Sequence, residues 1–131
     1  MKIAVVGDII VSSGLLAEAA KSLNIDDEPE IKEIVWKADD RKDFQKKALN
    51  IETKGPEAEE IPEELYTEIE DADILLVHFC PVPKKLIERA QNLKLIGTCR
   101  GGLEHVDVEA ATEKNIPVVH VIRNAEATSD F

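Results

Sequence analysis

The residues of this chain that could do chemistry gather at the ends of its apolar runs. His78, Phe79 and Cys80 close "DILLVHFC", Cys99 closes "KLIGTC", and Arg100, Gly101, Gly102 and Leu103 follow at once. Two adjacent glycines let backbone approach a ligand closely and reach conformations closed to other residues. Successive N–H groups in such a turn form a nest for an anion such as a carboxylate. Arg100 could clamp a carboxylate or phosphate through its planar fork, or pair with the nearby Glu104. The same turn could also be glycine-rich for its geometry alone, and local features leave both readings open.

His78, Cys80 and Cys99 invite a zinc reading, but no CxxC or HxxxH spacing supports it. Free thiols are the simpler expectation. Among the histidines, His78 is the best placed for a ligand. His105 precedes Asp107 and could line a cleft or satisfy a turn, and His120 reads as a packed or edge residue of the last apolar run. A lone histidine at a strand end is no catalytic constellation, so neither a catalytic residue nor a metal ligand is expected within this chain.

The elements that must position these residues follow from periodicity. "KIAVVG", "IKEIVW", "DILLVHF", "KLIGTC" and "PVVHVI" read as five strands, apolar enough to be buried on both faces. Helices are expected between them. Ser12 or Ser13 caps the first, whose stripe is Leu15, Leu16, Ala19, Ala20 and Leu23. Phe44, Ala48 and Ile51 share a face of the second, and Leu65 and Ile69 face inward from a short third. Pro83 opens a fourth, and Asp107 caps the fifth, with Glu109 in its first turn. The segment "ETKGPEAEEIP" looks like the loosest part of the chain. Strict alternation of strands and helices predicts an α/β fold with a parallel sheet in the flavodoxin-like order 2-1-3-4-5, a Rossmann order being the other option. Ligands of such sheets bind outside the carboxyl ends of the strands, which here are residues 7–10, 78–82 and 98–105.

The chain has 131 residues, enough for one domain with a radius of gyration of roughly 14 Å. Its 16 basic and 27 acidic residues leave a net charge of −11, which argues against nucleic-acid or membrane partners. No apolar run could span a bilayer, the N-terminus lacks a signal-peptide profile, and the cysteines follow no disulfide framework. A cytoplasmic location is expected.

Residues 93–131, "LKLIGTCRGGLEHVDVEAATEKNIPVVHVIRNAEATSDF", resemble the D-2-hydroxyacid dehydrogenase family at the end of its substrate-binding domain, and "DADILLVHFCPVPKKLIERAQNLK" extends the likeness more weakly upstream. Many members have glycine where Arg100 stands, and often aspartate and asparagine at the positions of Glu104 and His105, so "CRGG" suggests a subgroup with its own substrate. The resemblance implies a flavodoxin-like substrate-binding domain over residues 1–122 and the start of an interdomain hinge helix at 123–131. It implies that Arg100, Gly101, Gly102 and Leu103 offer a substrate carboxylate their backbone, with His78, Phe79 and Cys80 opposite. It further implies an NAD(P)-dependent oxidoreductase interconverting a D-2-hydroxy acid and its 2-keto acid, with a homodimer compatible. NAD or NADP and the catalytic groups would belong to a second domain absent here, since no G-x-G-x-x-G occurs in the chain. The chain then reads as truncated before that domain, inactive alone and unable to bind NAD or NADH. The alternative is a free-standing flavodoxin-like module that binds a small anion without catalysis.

Overall fold

The computed structural model describes residues 1–22, 29–99 and 102–120. The elements run β1 (Lys2–Gly7), α1 (Ser13–Lys21), β2 (Glu30–Val35), α2 (Arg41–Lys54), α3 (Glu63–Glu68), β3 (Ile74–Val77), α4 (Lys84–Arg89), β4 (Leu95–Thr98), α5 (Val108–Glu113) and β5 (Val118–His120). The five strands form one sheet in the order β2-β1-β3-β4-β5, and every pairing is parallel. This is the expected flavodoxin-like order, with β1 between β2 and β3. The expected hinge start at 123–131 lies outside the described residues.

Alternation along the central strands splits the core in two. Ala4 and Val6 of β1, with Leu75 and Val77 of β3, meet α2, α3, α4 and α5 on one face. Ile3 and Val5, with Ile74 and Leu76, meet α1 on the other. The result is three layers, one of them a single described helix. Only the inner strands are buried on both faces. β2 and β5 are the sheet edges and stay largely exposed, which corrects the expectation of uniformly buried strands. His120 is accordingly an exposed edge residue.

Local chemistry explains the helix starts. Ser12 accepts from Leu15 N (3.2 Å), Asp40 from Asp43 N (2.8 Å) and Asp107 from Ala110 N (3.0 Å), each satisfying an amide that the helix cannot. Pro83 is the N-cap of α4 rather than a residue of its first turn. Two other expectations need correction. In α1 the buried face is Leu16, Ala17 and Ala20, while Leu15 is 52% exposed. Apolar residues lie on more than one side of this short helix, so hydrophobicity alone does not choose the face, and packing on β1 and β3 does. The 52–62 segment is also well anchored. Its first three residues finish α2, Gly55 ends that helix at φ 95°, Trp36 Nε1 donates to Glu60 O (3.0 Å), and Ile61 is buried.

Candidate functional site

The carboxyl ends of β1, β3 and β4 lie side by side, and hydrogen bonds stitch their loops together. The central group is Asp8, directly after β1, whose side chain is 1% exposed. One of its oxygens accepts from Ile10 N and Val11 N, both at 2.9 Å. The other accepts from Phe79 N (3.2 Å) and meets His78 Nδ1 at 2.8 Å. Burial, the largest influence on this carboxyl, pushes its pKa up. The bond from His78, the Val11 amide, the His78 charge and the Ile10 amide outweigh it, and the carboxyl is held below its usual range.

An ionised carboxylate only accepts, so the proton in the 2.8 Å contact sits on His78 Nδ1. The His78 side chain is 16% exposed, and none of the described residues bonds its Nε2. Its backbone carbonyl accepts from Thr98 Oγ1 (3.2 Å), and that oxygen lies 2.9 Å from His105 Nε2. The hydroxyl has one proton, which goes to the carbonyl, so Thr98 accepts from a proton on His105 Nε2. Deeper in the loops, Val82 and Val106 form a bridge, with Val82 N donating to His105 O (2.8 Å) and Asp107 N to Val82 O (3.0 Å). Backbone hydrogen bonds therefore join Val82 of the loop after β3 to residues 105–107 after β4.

Each expected site residue can now be placed. His78 is at the surface end of β3. Phe79 turns inward, stacked on Trp36 and edge-on to Phe44, so only its backbone faces the loop edge. Cys80 is fully buried, with its thiol on Pro81 O (3.5 Å), and burial pushes its pKa well up, aided by the Asp8 charge. Its thiol is turned into the core and away from solvent. Both cysteines are free thiols that follow the ends of neighbouring strands. Gly102 and Leu103 are half-buried in the loop after β4, and Arg100 and Gly101 lie outside the described residues.

At Gly102 the chain needs glycine neither for its backbone angle nor to clear a rigid neighbour, since only the end of one side chain lies beside it. A Cβ there would run into the Glu104 carboxylate, while its φ is open to any residue. His105 is fully buried and therefore no cleft residue. Asp8 escaped the sequence reading as a site organiser. The signal was an Asp at a strand end before two branched residues, a frequent side-chain-capped turn, but only the strand order brings it to His78.

The turn after β1 does not fit a dinucleotide. Gly7 occupies the strand-to-helix turn where a phosphate-binding glycine would lie. A Cβ on Gly7 would come within 2.6 Å of the Ser12 carbonyl carbon and 2.7 Å of Ser13 Cα. The glycine makes room for the chain itself and leaves no cradle for a pyrophosphate. Among the described residues no His, Cys, Asp and Glu group could hold a metal ion, and no helix is long and apolar enough to cross a membrane.

Comparison with known proteins agrees with this architecture. Residues 30–131 match the model of the D-isomer specific 2-hydroxyacid dehydrogenase catalytic domain, a longer stretch than the motifs above. A D-3-phosphoglycerate dehydrogenase of Methanocaldococcus jannaschii is 49% identical over 59 residues, 44% of this chain and 11% of that protein. A hydroxypyruvate reductase of Blautia hydrogenotrophica is 37% identical over 59 residues, 45% of this chain and 18% of that protein. Among solved structures, the NAD+-bound 3-phosphoglycerate dehydrogenase of Entamoeba histolytica superposes with a TM-score of 0.54 at 17% identity, covering 92% of this chain and 32% of the other. The apo D-lactate dehydrogenase of Escherichia coli gives 0.54 at 17% identity, covering 94% and 31%. At such identities the superpositions speak for the fold. The chain spans under a fifth of the length of these curated relatives and about a third of these solved chains. With 102 of its 131 residues matched by the catalytic-domain model, the chain belongs to the D-isomer specific 2-hydroxyacid dehydrogenase family.

Proposed function

We propose that this chain is the substrate-binding part of an NAD(P)-dependent oxidoreductase that interconverts a D-2-hydroxy acid and its 2-keto acid. The observation that carries the reading is that His78 and the loop holding Gly102 follow the adjacent parallel strands β3 and β4, with Thr98 Oγ1 donating to the His78 carbonyl, in a chain of this family. A small carboxylate would lie against the backbone of the loop after β4, with the His78 ring opposite and Phe79 and Cys80 packed beneath that ring. Holding the acid in one orientation contributes to rate by removing translational and rotational freedom before reaction. NAD or NADP would be bound by residues outside this chain, a reading supported by the Gly7 turn, where the chain itself fills the space a pyrophosphate needs. The substrate domain would supply orientation and no redox group.

The test is an assay of a polypeptide carrying the family's full length, with NADH and NADPH and a panel of 2-keto acids including glyoxylate, pyruvate and hydroxypyruvate. Consumption of reduced cofactor with at least one keto acid, and oxidation of the D but not the L hydroxy acid in reverse, is the expected result. No turnover with any of them, in folded protein, contradicts the reading.

A further inference from the structure

We propose that Asp8 is a positioning residue that sets the tautomer and orientation of His78, so that Nε2 is the ring atom presented to the substrate. The proposal rests on the reading of the carboxyl edge as a substrate site, and deepens it. Asp8 follows β1, and His78 follows β3, the strand paired to β1. Its carboxylate is cross-linked to both strand ends, by Ile10 N and Val11 N on one oxygen and by Phe79 N and His78 Nδ1 on the other. Three backbone donors fix the carboxylate, and the fixed carboxylate fixes the ring. With Nδ1 committed as a donor, the neutral ring offers a lone pair at Nε2. That suits a hydrogen-bond donor on the substrate, such as a hydroxyl.

Asp8→Asn probes this without changing shape. With its oxygen toward Ile10 N and Val11 N the amide sets its NH2 against one fixed donor, Phe79 N, whereas the opposite orientation sets it against two, so the first is favoured. The NH2 then faces His78 Nδ1, which can accept only after the ring proton moves to Nε2. The tautomer should invert, and Nε2 becomes a donor.

The measurement is 15N-detected NMR of histidine-labelled 131-residue chain, with the rings neutral and D-lactate as the probe. In the unsubstituted protein we expect a protonated Nδ1 and an unprotonated Nε2 at His78, with the Nε2 signal moving on D-lactate addition. In Asp8→Asn we expect the two signals to exchange character, and the apparent D-lactate affinity to fall about tenfold, the scale of one hydrogen bond. An Nε2-protonated ring in the unsubstituted protein overturns the proposal, and this comparison decides alone if the Asn variant does not fold. D-lactate binding at His78 that is equally tight in folded Asp8→Asn also overturns it, while leaving the substrate-site reading intact. An Nε2 signal indifferent to D-lactate in the unsubstituted protein overturns the substrate-site reading, and this proposal with it.

Discussion

Asp8 and His78 stand 70 positions apart in the chain, yet their side chains meet at 2.8 Å across the ends of two paired strands. The contact exists because the sheet order sets β1 beside β3, and it joins the loop edge to one nearly inaccessible carboxylate. Removing that carboxylate should be felt by both strands. Asp8→Ala leaves the amides of Ile10, Val11 and Phe79 without their acceptor. Bonds to a charged acceptor contribute about 1.5–3 kcal/mol each and do not simply add, so a loss of about 3 kcal/mol in urea unfolding is expected. A loss below about 0.5 kcal/mol, the range of an ordinary surface substitution, would show the network to be dispensable.

The same group predicts a pH dependence. Its folded-state pKa lies below the ordinary value, so ionised Asp8 stabilises the native state. That contribution is fully present above the unfolded value of about 3.9 and is lost as pH falls through the folded one. The stability difference between the unsubstituted protein and Asp8→Asn should be flat above about pH 5 and shrink on acidification. A difference that grows toward low pH would reverse the sign of the argument.

Gly7 and Gly102 should respond oppositely to alanine. At Gly7 the new methyl meets only backbone of Ser12 and Ser13, so the turn itself must shift. Loss of more than about 3 kcal/mol, or failure to fold, is expected. At Gly102 it meets the exposed Glu104 carboxylate, 3.0 Å away at Cδ, and that end can swing aside. A cost under about 1 kcal/mol is expected there. Thermal melts of the two variants decide the contrast, and similar melts would refute it.

The two thiols should differ in reactivity. Cys80 is fully buried with a raised pKa, whereas Cys99 is half-buried. Brief iodoacetamide treatment of native protein, read by mass spectrometry, should mark Cys99 ahead of Cys80. Cys80 should react at a rate set by unfolding. Equal labelling would place Cys80 nearer the surface than its core packing allows.

The parts of the fold legible in the chain were those dictated by continuous apolar runs. "ILLV" at 74–77 can only be an inner strand, and Asp107 before "VEAATE" can hardly be anything but a helix cap. What escaped depends on neighbours in space. In α1 the apolar residues Leu15, Leu16, Ala17, Ala19 and Ala20 are compatible with more than one buried face, and only docking on the sheet selects Leu16, Ala17 and Ala20 over Leu15. The edges of the sheet cannot be told from its centre until the strand order is known. In the candidate site, His78 was legible as a strand-end residue. Its partner Asp8 was not, because no spacing in sequence announces a contact made through strand pairing. Cys80, one step past Phe79, looks like a loop residue, but the aromatic cluster of Trp36, Phe44 and Phe79 draws the chain inward there.

Glu104 gives a prediction about affinity. Its carboxylate lies against Gly102, where the proposed substrate carboxylate would approach the backbone. Two like charges cannot share that space cheaply, so Glu104→Gln should lower KM for a 2-keto acid about threefold, within the modest range of exposed charge effects. A raised KM would mean that Glu104 supports the site and does not compete with its ligand.

The central claim, that the loop after β4 receives the substrate, is tested most directly by steady-state kinetics of Gly102→Val in a polypeptide of the family's full length. The branched side chain would displace Glu104 and cover the backbone that the carboxylate must reach. With the fold confirmed by melting, KM for the keto acid should rise about tenfold or more, with kcat falling less unless the reacting carbon is also misplaced. Unchanged kcat and KM in the folded variant would mean that the turn is only a turn, and the proposed site would be wrong.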